Sequence, residues 1–522
     1  MKKYLFIALA ALGFVACAEK GEENVPVQNG ELEQSYVAFS LAADDMNTRI
    51  EGGQYDEGLA AERAVKSAYV FFFKDGKAFP VTFDGTTSTN AGASNYLQVN
   101  LKGSEEDMDN ISDVKDAVLV LQNYKGEYPN QIVAVLNWDP TGQSSYTLEN
   151  LKTKIATLGD DTNGYVMSNA VYADKAGQTV DAVDLTIDNI GKSEAEALAN
   201  PVTIHVERVA AKVVFTAASN GKFPIEKEVN GQAVYAQIKG FELYNDYQES
   251  WLIKRIDPTW SNLGFNWNDA DWHRSYWAQS LGKAFEANTF AWTTDNTVIG
   301  GYVYCGENTR EWSEAADVRT KVVVKAQLVN AADEAVEVVN WYGKDYVGED
   351  NLKTVVANTL KNTYFSGDGS TFTGLTPEDI KCVDRDENNE KAYEVYFQLS
   401  DAGTAKTWYK YEAGNYNAID PAALNTILAD VQPALVYKNG MTYYWLDIKH
   451  LGNGEGKPGD FGVVRNHVYK VNITDITGYG TPVYDGTTDF IHLEKPKDIV
   501  TYVSAQINIL SWRLVANDYE LN

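Results

Sequence analysis

The chain has 522 residues and a formal net charge of −29, from 73 acidic and 44 basic side chains. At roughly 150 residues per domain the length predicts two to four domains, while 44% hydrophobic and 12% aromatic content exclude a disordered acidic chain. The negative balance excludes binding of nucleic acid or anionic membrane through bulk charge, and three cysteines exclude a disulfide scaffold or a Cys-based zinc site.

The chain opens with MKKYLFIALAALGFVAC. Lys2 and Lys3 precede an apolar run from Tyr4 to Ala16, which is shorter than the ~20 residues a membrane span needs and reads as a cleaved export signal. The run stops at Ala16-Cys17, and this end resembles a bacterial lipoprotein signal (1–17) in which Cys17 carries the lipid, palmitate included; Phe14 stands where such signals usually have Leu. An ordinary secretory signal with an accidental cysteine is the other reading. After a polar linker, SYVAFSL alternates Val37, Phe39 and Leu41 against Tyr36, Ala38 and Ser40, which predicts one strand. The tract AADDMNTRIEGGQYDEG follows, and Arg49 within it is an obvious tryptic-type cleavage point. Arg63 is a second, exposed-looking arginine.

Further strands are expected in 65–73, 130–138, 207–217, 235–245, 319–329 and 466–476, all short and rich in β-branched and aromatic residues. Helical patterns are fewer: 146–157, 349–362 and 421–432, the last with Asp420 as N-cap and Pro421 at the first helical position. Strands outnumber helices without alternating regularly with them. The expected fold is therefore mainly β: two β-sandwich domains, of transthyretin-like Greek-key type, with short helical insertions. A small polar stretch, 190–201, places the boundary near 205 and gives domains at 50–205 and 206–522. At the C-terminus Val503, Ala505, Ile507 and Ile509 alternate with polar residues, and the apolar phase then slips to Leu510, Trp512 and Leu514. That slip predicts a bulge or a crossing between sheets near Ile509. Such an end is either tied into its own sheet or completes the sheet of a neighbouring molecule.

The interior offers little chemistry. G-x-x-x-x-G-K-[ST], H-E-x-x-H and G-x-S-x-G are absent. The histidines (His205, His273, His450, His467, His492) are dispersed, and core or solvated roles are expected for them. DRDENNE (384–390) begins like a calcium loop but lacks Gly at the sixth position and has Val395 at the twelfth, so an acidic turn is expected and no metal. Trp251, Trp260, Trp267, Trp272, Trp277 and Trp292 crowd into a short segment; they are either a binding platform or core filler. Cys305 and Cys382 read as small packing residues, not a bridge.

The set LGFVAC, SYVAFSLAADDMNTR, QIVAVLN, VERVAAKVVF, MTYYWLDIKH, GVVRNHVYKVNITDITGYG and INILSWRLVANDYEL, taken in order, resembles the fimbrillin superfamily of the Bacteroidetes. Its members are subunits of type V pili, and the stalk subunit of the short (minor) fimbriae is the nearest in pattern. The resemblance implies an outer-membrane lipoprotein precursor cut by an Arg-specific surface protease at Arg49-Ile50, with 18–49 as a propeptide carrying the first strand. Removal of Val37, Phe39 and Leu41 would leave a groove. The C-terminal strand of an incoming copy, about Thr501 to Leu514 with Val503, Ala505, Ile507, Ile509, Leu510 and Trp512, would fill it. It also implies an extracellular fimbrium that supports adhesion and virulence, no catalytic activity and no cofactor. The implied partners are further copies of itself, accessory, tip and anchor subunits, and a host or bacterial surface ligand. Two alternatives stand beside the stalk reading: a tip or accessory adhesin, which would lack a usable C-terminal donor strand, and a surface glycan-binding lipoprotein using the Trp cluster.

Overall fold

The computed structural model describes residues 32–42, 55–56, 58–81, 94–99, 117–124, 126–173, 179–256, 279–281, 292, 297–310, 318–384, 394–448, 450, 461–486 and 502–512. They divide into two compact units: Met1–Ala210 with Gln248–Leu281 and Ser511–Asn522, and Ala211–Tyr247 with Gly282–Leu510. The main division falls inside VERVAAKVVF, where Val209 and Ala210 are fully buried.

In the first unit the main elements are β1 (Leu32–Ala42), β2 (Ala68–Lys74), β3 (Ala117–Tyr124), β4 (Gln131–Leu136), α1 (Leu148–Lys152), β5 (Met167–Asn169), β6 (Ile190–Gly191), α2 (Glu194–Ala199) and β7 (Val202–Arg208). The strands form one ten-stranded sheet, in the order β6-β1-β7-β5-β4-β2 along its main path, with β3 against β1. β7 joins its two halves. Val202–His205 pair in parallel with β1, and Val206–Arg208 pair antiparallel with β5. A strand that changes partners along its length is how a β-sandwich turns a corner. β2 reads AYVFFFK because it is covered on both sides: Val70 and Phe72 enter the main core, while Phe71 packs on Tyr96 and Tyr146. The helix expected over 146–157 is cut to five residues. Ile155–Thr157 is instead a strand paired with Glu249–Trp251, a long-range pairing that overrides the local helical pattern.

In the second unit come β8 (Ala211–Ala217), β9 (Lys222–Val229), β10 (Gln232–Tyr244), β11 (Tyr302–Cys305), β12 (Lys321–Val329), β13 (Val338–Trp341) and β14 (Lys344–Val347). They are followed by α3 (Glu349–Leu360), β15 (Tyr364–Gly367), β16 (Phe372–Gly374), β17 (Ile380–Asp384), β18 (Glu394–Leu399), β19 (Trp408–Glu412) and β20 (Asn415–Ile419). The chain ends with α4 (Pro421–Ala429), β21 (Ala434–Tyr437), β22 (Met441–Asp447), β23 (His467–Thr477) and β24 (Tyr502–Trp512). Two sheets, β24-β23-β8-β11 and β9-β10-β12-β22, enclose one core in which Phe215 stacks on Phe241 at 4.6 Å. A lobe of two further sheets, β14-β13-β21-β18-β17 and β16-β15-β19-β20, packs with α3 and α4 around a second core centred on the fully buried Trp408. β13 and β21 serve both cores, because strand side chains alternate: Val338 and Tyr437 face one, Val339 and Val436 the other. Asp420 caps α4 as expected, its carboxylate accepting from the Ala422 amide at 2.7 Å.

Candidate assembly site

The expected precursor strand is β1, and it is gripped along both edges. One edge pairs antiparallel with β3 from Leu32↔Tyr124 to Phe39↔Ala117. The other pairs antiparallel with β6 at Tyr36 and Val37, then in parallel with β7 from Phe39↔Val202 to Ala42↔His205. Val37, Ala38 and Phe39 are fully buried, and Val37 and Phe39 join the core made with Val70, Phe72, Ile132 and Ile204. Leu41 pairs with Ile204 through its backbone; its side chain lies outside the described residues. At roughly 1.5–3 kcal/mol for each large buried apolar side chain, Val37 and Phe39 alone contribute an amount comparable to much of a domain's net stability, which is ~5–15 kcal/mol. The seat therefore needs an occupant.

Cys17, Arg49 and Ile50 lie outside the described residues. Arg63, exposed-looking in the sequence, is only part-exposed in the structure. It closes the short helix Ala60–Arg63 and is half-buried, between Glu62, fully buried, and Ala64 and Val65. The Glu62 carbonyl accepts from Arg208 Nε at 2.7 Å, and its carboxylate accepts from the Leu59 amide at 2.7 Å. A protease needs an extended, accessible segment, so these ties disfavour Arg63 as a cleavage point.

The C-terminal strand β24 runs unbroken over Tyr502–Trp512 alongside β23 in the chain's own sheet. Its end, Ser511 and Trp512, pairs in parallel with Tyr55 and Asp56. The division between units falls at Leu510–Ser511, beside the position where the apolar phase slips. Val503, Ala505, Ile507, Ile509, Leu510 and Trp512 all belong to this strand; their side chains lie outside the described residues.

The remaining candidates that fall among the described residues pack into the fold. His450 and His467 come together where sequence spacing showed no pair, with rings 5.1 Å apart and both buried. His450 Nδ1 lies 2.8 Å from the Tyr469 hydroxyl, which accepts from the Val464 amide at 2.9 Å. Burial raises the Tyr469 hydroxyl pKa well above its usual value. Nearby Arg465 pairs with Glu307 at 2.7 Å with both side chains buried. No cluster of three or more metal-ligating side chains occurs among the described residues, and DRDENNE lies outside them beyond Asp384. Cys305 and Cys382 are both free thiols; burial pushes Cys305 far up and Cys382 up to about 12, which keeps both protonated and unreactive. Of the Trp cluster, Trp292 donates to the Thr442 carbonyl at 3.0 Å and packs by Val323 and Met441, while Trp251 sits under the Arg255 guanidinium. Both are half-buried, and Trp260, Trp267, Trp272 and Trp277 lie outside the described residues. A cluster of aromatic rings that the sequence did not single out occurs on β15, β16, β19 and β20.

Residues 435–518, which run from β21 through β24, match the family model for the C-terminal part of fimbrillin, described as major fimbrial subunit protein type IV. Over these residues the chain is similar to fimbrial subunits of that family. Among solved structures it is similar to a fimbrilin from Porphyromonas gingivalis (11% identity, TM-score 0.37, covering 92% of this chain and 98% of that one). It is also similar to the tip fimbrial protein Mfa3 of Porphyromonas gingivalis (12%, TM-score 0.32, covering 92% and 100%) and to a fimbrial assembly protein from Parabacteroides distasonis (12%, TM-score 0.27, covering 73% and 100%). No curated protein sequence matches the chain. Among the described residues no helix is long and apolar enough to cross a membrane.

Proposed function

We propose that the chain is a stalk-type fimbrial subunit that polymerises by exchange of strands. It is exported as a lipoprotein through Cys17, cut by an Arg-specific surface protease at Arg49-Ile50, and loses β1. The vacated seat takes residues Thr501 to Leu514 of the next copy, and accessory, tip and anchor subunits complete the extracellular fibre. The observation that carries this reading is the burial of Val37 and Phe39 in a strand hydrogen-bonded along both edges. Removing it uncovers apolar side chains and two rows of unpaired backbone groups, which together form a template for an added strand. β24 supports the reading from the other side. Among the described residues it has one long neighbour, β23, so there it loses fewer backbone hydrogen bonds on leaving its sheet than a strand held on both edges.

The test is treatment of the purified full chain with an Arg-specific protease. The expected result is a new N-terminus at Ile50 and a ladder of oligomers. A chain left uncut at Arg49, or cut there and still monomeric, would overturn the proposal.

A further inference from the structure

Strand alternation gives the sheet β16-β15-β19-β20 two unlike faces. Tyr364, Trp408 and Ile419 face the lobe's core. The cross-strand pairs Phe365↔Tyr409, Tyr411↔Tyr416 and Gly367↔Phe372 put five aromatic rings on the opposite face. Phe372 and Tyr416 stack in parallel at 3.8 Å, with Phe365 edge-on to Tyr416 at 5.1 Å and Tyr409 edge-on to Phe372 at 5.0 Å. Tyr411 and Tyr416 are 42% and 39% exposed. Glycine makes this layer possible: a Cβ at Gly367 would meet the Thr371 carbonyl at 2.2 Å and the Phe372 ring at 3.1 Å. Beside Phe365 opens a cleft of about 360 Å³ whose polar lining includes Asn358, Lys361, Asn362 and Thr376. The side chains of Asn358, Lys361 and Asn362 have no hydrogen-bond partner among the described residues.

Charge decides what fits. The five rings, with Gly367 and Gly374 paired opposite Phe372 and Phe365, bear no charge, on a chain whose net charge is −29. A nucleic acid needs a basic groove, where this cleft offers one lysine. A pyranose sugar presents an apolar C–H face to an aromatic ring and hydroxyls at its edge to amides, which is the pairing of surfaces found here. We propose that this lobe binds a neutral oligosaccharide, with sugar rings on Tyr411, Tyr416 and Phe365 and hydroxyls hydrogen-bonded to Asn358 and Asn362. The site does not depend on strand exchange, so the uncut monomer tests it.

The experiment applies the full-length monomer to an array of immobilised neutral gluco-, manno-, galacto- and N-acetylglucosamine oligosaccharides, with heparin and polylysine as charged probes. At least one neutral oligosaccharide should bind, and Tyr411→Ala/Tyr416→Ala should weaken it at least tenfold at a temperature where circular dichroism shows the variant folded. Asn358→Ala/Asn362→Ala, at exposed helix and turn positions, should weaken it about fivefold and serves if the first variant does not fold. Binding only to heparin or polylysine, no binding to any neutral oligosaccharide, or binding untouched by both variants would overturn the proposal.

Discussion

The first and last strands of this chain have the same length, eleven residues each, yet they are held differently. β1 has partners along both edges and puts Val37 and Phe39 into a core. Among the described residues β24 lies on one long partner, β23, with a two-residue pairing at its far end. A strand held on both edges resists thermal fraying more than a strand held mainly on one. One held mainly on one edge exchanges partners far more readily.

The largest effects test that contrast directly. Deleting residues 501–522 should abolish fibre extension while the truncated chain still folds, as read by electron microscopy and circular dichroism. Fibres of normal length from the truncated chain would break the assignment of donor. Arg49→Gln should prevent the ladder of oligomers entirely and Arg63→Gln should leave it intact, with mass spectrometry of the new N-terminus as the readout; the reverse pattern would move the cut into the short helix. Phe39→Ala in the uncut chain should cost the first unit about 3–5 kcal/mol in urea unfolding, since a ring leaves a cavity in a well-packed core. The same change should have no effect on fibres already assembled from cut subunits, because β1 is then gone. The smallest effect is a control away from both strands: Asp420→Ala removes the α4 cap and should cost about 0.5–2 kcal/mol in unfolding of the second unit, with assembly unchanged.

The strands were legible because local pattern and tertiary role agree. Val37 and Phe39 alternate as an isolated strand would, and they are buried as that alternation requires. The misreadings share a cause in distant partners. Ile155–Thr157 continues a helical pattern but pairs with Glu249–Trp251. Arg63 looked exposed because the guanidinium that anchors its neighbour belongs to Arg208, and no local window contains both. The aromatic face was hidden for the same reason. Tyr409 and Tyr411 alternate with Trp408 and Lys410 like any half-buried strand, and only the packing of Trp408 into the lobe's core decides which set is left outside. Tryptophan density drew attention to 251–292 instead, where the described rings pack against the fold.

The mixed pairing of β1 has a geometric consequence. Its seat runs antiparallel to β3 and parallel to β7, so reversing the occupant would exchange one type of ladder for the other on each side and misalign every hydrogen bond. A one-residue slip would turn the apolar set away from the core. The seat thus has a direction and a phase. Any strand that replaces β1 must enter with the same polarity, and because seat and strand are different surfaces of one chain, the contact is heterologous and has no two-fold axis. Repeated without closure, such a contact builds a polar filament whose two ends are chemically unlike: one presents an empty seat and the other a free strand.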